Sequence, residues 1–310
     1  MVFSDLDRAV LFTLTYSAQF SYPLTASEVW QRLLFQLDDD HLLLSQSVSV
    51  AQVKTSLKKL TDAKLVGESR SFFWPVSVNG KAVVAARQRR ELIAQHKWHE
   101  VASLVKVLEK ISWIKAVYVT GSLAVNNTEV DDDSDFMIVV AARRLWLTRL
   151  LVLLWAMIKG KRRSWHGEEK KSWCFNMWLE ESEVGVFSGR QTVYTAYELQ
   201  QMKPVSDSGG VTAALFERNQ WVKTYLLQGW SRGEEKKNEA DEGGFSGGAL
   251  GANLFLSALN YIAFLLQYLY MYRHMTREWV GQRVAFFHPR PTRRSIYHRW
   301  LDQIQNLTSS

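Results

Sequence analysis

Four aspartates crowd the entrance to an apolar run in VTGSLAVNNTEVDDDSDFMIVV, residues 119–140 of a 310-residue chain. The stretch links a Gly121-Ser122 pair to Asp131, Asp132, Asp133 and Asp135. Like charges repel and strands disfavour Asp, so the acids either form a solvated turn or attend a cation. IKAVYVT before them and FMIVVA after them read as buried strands. Gly lets a backbone approach a phosphate closely. N–H groups at a helix start, together with the Ser hydroxyl, are phosphate donors. Alternate strand residues face the same way, so Asp133 and Asp135 are expected to aim their carboxylates together, with Ser134 opposite. Paired carboxylates beside such a turn suit Mg²⁺, which takes oxygen ligands and shares them with substrate phosphates; Mn²⁺ is an alternative. The chemistry expected is in-line displacement at the α-phosphorus of an NTP by an acceptor hydroxyl, releasing pyrophosphate. Asp131 and Asp132 then belong to the solvated approach.

The flanking elements must position this motif. YPLTASEVWQRLL starts a helix with a capping box, Thr25 and Glu28, and Ser49 with Gln52 repeats the pattern before VKTSLKKLTDAKLV. LVGESRSFFWPV reads as a small hairpin. Three helices and a wing over residues 1–80 suggest a winged-helix-like domain whose third helix, with Lys54, Lys58 and Lys59, is offered to DNA. A helical domain for protein contacts is the competing view. Residues 81–111 read as a long linking helix. Its basic run, Arg87 to Arg90, is expected on a solvated face, or else facing phosphate. Residues 81–200 then form the core that holds the motif. A C-terminal helical region, 201–310, follows. It includes TREWVGQRVAFFHPR after the apolar helix and is interrupted near 233–248 by a charged, glycine-rich linker.

Bulk properties narrow the classes. Net charge is +7, with 38 Lys and Arg against 31 Asp and Glu, which fits nucleotides, nucleic acid or another acidic partner. One cysteine, Cys174, excludes an internal disulfide framework and a Cys-rich zinc site, and a reducing cytoplasm is the expected compartment. No signal peptide is read at the N-terminus. The uncharged stretch 243–272 is long enough to span a bilayer. Asn253, Ser257, Asn260 and Gln267 form one polar stripe on it, so it is expected as a largely buried helix with no membrane contact, a lone membrane anchor being the competing view.

The motif resembles the signature of the DNA polymerase beta-like nucleotidyltransferase superfamily: strand, Gly-Ser, helix, loop, then D-x-D on a strand. YPLTASEVW, CFNMWL, YTAYELQQMKP, FERNQWV and AFFHPR resemble recurring blocks of a poorly characterised bacterial group with such a domain. The resemblance implies an α+β fold: a nucleotidyltransferase core with a mixed β-sheet flanked by helices. By matching position, Gly121 and Ser122 would hold phosphate, and Asp133 and Asp135 would hold metal and carry catalysis. Active members add a carboxylate from a later strand. Here that strand, CFNMW, offers Asn176, which can bind substrate or metal as a neutral oxygen but cannot act as a base. Glu198 or Glu180 would then have to supply the missing charge, and an exposed or capping role competes for Glu198.

Lesser candidates surround the motif. Arg143, Arg144 and Arg149 could meet a triphosphate or simply end a strand in solvent. Asn126 and Asn127 could line a pocket or cap the turn. Lys161, Arg162 and Arg163 suggest a solvated loop, with a nucleic-acid contact as the alternative, and His288-Pro289 a structural element rather than a catalytic one. No Walker A loop or zinc-protease motif is present. The expectation is a Mg²⁺-dependent nucleotidyltransferase acting on a small molecule, a protein side chain or an RNA end. The alternatives are a non-catalytic, nucleotide-sensing DNA-binding regulator and an interaction protein in which the acids are only a turn.

Overall fold

Side-chain caps start the first helices. Ser4 accepts from the N–H of Asp7 and begins α1 (Asp5–Ala18), and Asp7 returns the bond. A two-residue strand, β1 (Leu24–Thr25), runs into α2 (Ala26–Gln31), which Thr25 and Glu28 cap reciprocally, as Ser49 and Gln52 cap α3 (Val50–Asp62). A hairpin of β2 (Val66–Ser69) and β3 (Phe72–Pro75) follows. The three strands pair antiparallel in the order β1-β3-β2. The computed structural model describes residues 3–37, 41–161, 172–238, 250–273, 275, 278–287 and 292–308.

The 29-residue helix α4 (Gly80–Leu108) leads from this unit into a six-stranded mixed sheet. Its chain order is β4 (Ile114–Thr120), the single-turn α5 (Gly121–Ala124), β5 (Ser134–Val140), α6 (Leu145–Ile158) and β6 (Trp173–Glu180). Then come α7 (Val193–Gln201), β7 (Lys203–Asp207), α8 (Val211–Arg218), α9 (Val222–Asn238), α10 (Leu250–Tyr272), β8 (Trp279–Val280), β9 (Val284–Phe286) and α11 (Thr292–Thr308). The spatial order is β7-β4-β5-β6-β9-β8, with β5 and β6 parallel and the other pairs antiparallel. Strands β7, β8 and β9 replace stretches expected to be helical. They are short and lie at one edge or toward the other, where local pattern is weak and pairing decides the conformation.

Alternation sorts the sheet into two faces. Tyr118, Met137, Val139 and Leu179 meet α1, α7, α8, α9 and α11 in one core. Val117, Val119, Phe136, Ile138 and Trp178 meet α4, α6 and α10 in the other. A third core, inside the N-terminal unit, joins Ala9, Val10 and Leu14 to Leu57, Leu60 and Phe73. Helix α1 therefore serves two cores, since its Phe12 and Tyr16 belong to the sheet's.

The basic run at the start of α4 is solvated only in part: Arg89 is exposed, whereas Arg87 and Arg90 turn inward. Arg87 is buried and forks onto Glu28 at 2.7 and 2.9 Å. Its guanidinium lies between the rings of Tyr22 (4.1 Å) and Phe72 (4.7 Å) and also donates to the carbonyl of Pro23. Arg89 and Arg90 both reach Glu129. These are internal clamps between α4, the N-terminal unit and the β4–β5 loop.

Helix α10 differs more from expectation. Of its residues, Asn260, Ala263 and Met271 are buried, while Leu254, Ile262, Leu266 and Leu269 are exposed. The polar stripe faces inward instead. Asn260 Oδ1 accepts from the N–H groups of Trp146 and Leu147, Gln267 bonds Arg149 and the carbonyl of Trp146, and Ser257 accepts from Arg144. Residues 254–272 form one helix long and apolar enough to cross a membrane by length and composition. The expected linker lies partly in α9, which continues to Asn238, and residues 239–248 fall outside the described residues.

The Arg87 clamp carries a direct expectation. Truncating it in Arg87→Ala leaves Glu28 as an uncompensated, largely buried carboxylate and should cost about 3–5 kcal/mol. Arg87→Lys should recover little, because an ammonium lacks the planar fork and the stacking surface. Urea denaturation of the three proteins checks this, and a loss below about 1 kcal/mol for Arg87→Ala would refute the clamp.

Candidate functional site

Strand β4 ends at Thr120, and the chain turns at once through Gly121, whose φ is +63°. A side chain is strained there. Space forbids one as well: a Cβ on Gly121 would lie 2.7 Å from Asp135 Oδ2. The antiparallel register explains the closeness, because Thr120 pairs directly with Asp135. Gly121 thus makes room for a carboxylate at the mouth of β5.

The loop between them is held from α4. The buried Lys97 ammonium donates to Thr128 Oγ1 (3.0 Å) and to the carbonyls of Glu129 (2.7 Å) and Asp132 (2.5 Å). Asp132 caps the turn by accepting from the N–H of Glu129, and Asp131 is exposed. Asn127 is tied by Arg90 and by its own bond to the carbonyl of Phe20. Asn126 takes φ +56° and accepts from Trp98.

Behind Asp135 stands Asn176. The β5–β6 register runs from Phe136–Phe175 to Met137–Met177 and skips Asn176, which forms a bulge. Bulges re-aim side chains. Here the buried Asn176 amide donates to Asp135 Oδ1, while its oxygen accepts from the Cys174 thiol. Asn176 therefore orients Asp135.

A cavity of about 230 Å³ opens in front of Asp135. Gly121, Ser122, Asn127 and Asp135 form one wall, Tyr16, Ser17 and Phe20 of α1 and its end another, and Tyr194, Glu198 and Gln201 of α7 a third. A second cavity of about 320 Å³, with Glu28, Asn126 and Lys203, shares Tyr22, Arg32, Val125 and Gln201 with the first. Helix α7 presents Glu198 because its opposite face is packed on the sheet. Thr192 caps it, Val193, Ala196 and Tyr197 are buried in the sheet's core, and Tyr194, Glu198 and Gln201 fall at i, i+4 and i+7 on the neighbouring face.

Glu198 is half-buried, and its carboxyl is pushed up to about 7, first by desolvation and then by the charge of Asp135, against a hydrogen bond from Tyr194. Two neighbouring carboxyl groups, one of them desolvated, favour a proton or a cation at Glu198. They and the Ser122 hydroxyl are the hard oxygen donors that a Mg²⁺ ion takes. Among the described residues no group of three or more His, Cys, Asp or Glu forms a metal cage.

Sequence-expected residues thus divide. Gly121, Ser122 and Asp135 line one cavity with Asn176 behind them. Asp133 does not line it. Strand β5 begins only at Ser134, so regular alternation does not extend back to residue 133, and Asp133 Oδ1 accepts from the N–H (3.0 Å) and hydroxyl (2.6 Å) of Ser172. Glu198 is neither a cap nor exposed. Glu180 lies at the opposite end of β6, paired with Val140, and accepts from the N–H of Arg143. Arg143 and Arg144 are at that same end, and Arg149 stacks on Phe287 at 4.5 Å, so none of the three meets the cavity. Lys161 pairs with Glu100. Arg162, Arg163 and His288-Pro289 fall outside the described residues. Arg32, unmarked in the sequence, lines both cavities with its guanidinium 4.8 Å from the Tyr22 ring. No protein-family model, curated protein or solved structure matches the chain.

The raised Glu198 sets a pH dependence. Because the folded chain holds this proton more tightly than the unfolded one, stability falls as pH rises between about 4.5 and 7. Glu198→Gln should remove that part of the slope and should exceed wild type above the window by on the order of 2 kcal/mol. Urea unfolding across the range checks both; an unchanged slope would contradict the placement.

Proposed function

We propose that the chain is a metal-dependent nucleotidyltransferase that passes a nucleotide from an NTP to an acceptor hydroxyl. One observation carries this reading: Gly121, Ser122, Asp135 and a proton-avid Glu198 converge on one cavity. The sheet supports it too, since strand, Gly-Ser turn and acidic strand recur in the order the resemblance implies.

Asp135 would hold Mg²⁺ or Mn²⁺ together with substrate phosphate oxygens, with Asp133 on the approach and Glu198 beside the ion rather than on it. The ion would neutralise phosphate charge and steady the departing pyrophosphate. Ser122 and the backbone beside Gly121 would bind phosphate, and Arg32 gives a cation at the joint of the two cavities. The acceptor oxygen attacks the α-phosphorus as the bond to pyrophosphate breaks. Its proton passes to Glu198, whose pKa near 7 suits a general base. Asn176, by donating to Asp135, would keep that carboxylate aimed, in place of a third acid. The acceptor is a small molecule, a protein side chain or an RNA end, and the compartment is the cytoplasm, where Cys174 stays a thiol.

An NTP panel with Mg²⁺ or Mn²⁺, read as pyrophosphate release, tests this. Asp135→Asn should lose at least about a hundredfold in rate. Glu198→Gln should lose roughly 10²-fold while still binding NTP. Absence of NTP affinity by calorimetry with either ion would end the proposal.

A second reading concerns the N-terminal unit. The order α1, β1, α2, α3, β2, β3 with sheet β1-β3-β2 supports a winged-helix-like domain. Lys54 and Lys58 are exposed on α3, whereas Lys59 is committed to Asp7 at 2.6 Å. This helix would contact duplex DNA, and a degenerate site would then sense nucleotide. Lys54→Ala with Lys58→Ala should reduce the salt slope of duplex binding by about two. A mobility assay at low salt that shows no shift for the wild type rules the contact out.

A further inference from the structure

We propose that the outward face of α6 and α10 docks on an anionic lipid surface. The two helices lie side by side on the sheet face away from the candidate site. Contacts advance together along them, from Arg144 and Ser257 through Trp146 and Asn260 to Arg149 and Gln267, so they run in the same general direction. On α6 the exposed positions include Leu151, Leu154 and Ile158, and on α10 Ile262, Leu266 and Leu269. Both sets follow helical spacing, so each is a continuous stripe. Ile158 is 79% and Leu269 66% exposed. Such a contiguous apolar face on a soluble surface marks an interaction site.

Three features choose lipid over a second copy. First, α10 carries no charge in 23 residues, and Ser257, Asn260 and Gln267 are turned to α6, so among the described residues the polar groups left on its outer face include only tyrosine hydroxyls, at Tyr261, Tyr270 and Tyr272, which suit a bilayer interface. This is the reverse of a soluble amphipathic helix. Second, the shared C-terminal end of the pair bears exposed cations, Lys159 and Arg273, just past Ile158 and Tyr272. Cations beside an apolar face and a tyrosine at its end match an interface of anionic headgroups over acyl chains. Third, a second copy would bring its own Lys159 and Arg273 and a like net charge of +7, which opposes pairing, while an anionic surface complements the two cations. The α10 helix packs against the protein along its polar face, so the fit is to lie in one leaflet rather than to cross.

Flotation of the full chain with phosphatidylcholine vesicles, and with vesicles that also contain phosphatidylglycerol, tests this. Wild type should float with the phosphatidylglycerol vesicles. Leu266→Glu with Leu269→Glu, at exposed positions that leave the cores intact, should lower bound protein at least roughly tenfold while retaining the wild-type melting curve. Lys159→Glu with Arg273→Glu should weaken binding to the anionic vesicles roughly fivefold per charge. Wild type that stays unbound with both compositions, or leucine variants that float like wild type, would overturn the proposal. A dimer by light scattering that the leucine variants convert to monomer, without flotation, would overturn it in favour of a second copy.

Discussion

Helix α1 has almost no side turned to water, and much of the molecule is arranged by that. Every residue from Ala9 to Ser17 is buried. Ala9, Val10 and Leu14 fill the core of the N-terminal unit, while Phe12 and Tyr16 enter the core of the large sheet. Tyr16 stacks on Tyr197 of α7 at 4.3 Å and meets the edge of Trp300 of α11 at 5.3 Å. Burying a helix on both sides removes the option of sliding the N-terminal unit independently of the sheet, since large aromatic contacts on one side would be lost. The same helix ends as a wall of the cavity, through Tyr16, Ser17 and Phe20. The N-terminal unit therefore helps to make the candidate site, and its packing reaches the space in front of Asp135.

Charge reinforces that union. A chain with net +7 would be expected to show its cations to a partner, yet Arg87, Arg89, Arg90 and Lys97 on α4 all turn to groups of the same chain. Lys97 is the sharpest case. Its buried ammonium gathers acceptors from the loop that joins Gly121 to Asp135 and so fixes where the strand begins. Removing an ammonium from water is costly unless it is hydrogen-bonded, which makes this loop conformation strongly preferred. The acids at the strand mouth thus have different tasks. Asp132 shapes the turn, Asp133 ties the entry of β6 through Ser172, and Asp135 is left facing the cavity.

Local chemistry was legible in the sequence where it is local in the fold. The caps at Thr25–Glu28 and Ser49–Gln52 need only neighbouring residues, and they occur as read. The approach of Gly121 to Asp135 follows from two adjacent strands and a short loop. Glu198 was ambiguous because a Glu on a helix ordinarily faces solvent. Its position depends on α7 packing its Val193, Ala196 and Tyr197 face on the sheet, a tertiary fact. Strands β7 and β9 carry little local signal for the same reason, since each is defined by its partner more than by its residues. The burial of Arg87 has no sequence signature, because a basic run carries no mark of the Glu28 that lies 59 positions away.

The inversion of α10 has its cause in α6. Helix α6 begins at Leu145 behind Arg144, which gives no side-chain cap, so its first N–H groups need an acceptor from elsewhere. Asn260 Oδ1 supplies one to Trp146 and Leu147. Gln267 then spans the carbonyl of Trp146 and the guanidinium of Arg149, and Ser257 accepts from Arg144. Every polar group so used draws the polar stripe of α10 inward, and helical geometry sends the opposite face, rich in Leu and Ile, outward. Hydropathy alone reads a polar stripe as the wet side of a helix. Here the uncapped start of a neighbour outweighs that preference, because unsatisfied buried N–H groups cost more than exposed methyl groups. An apolar exterior is the structural consequence of satisfying a polar interior.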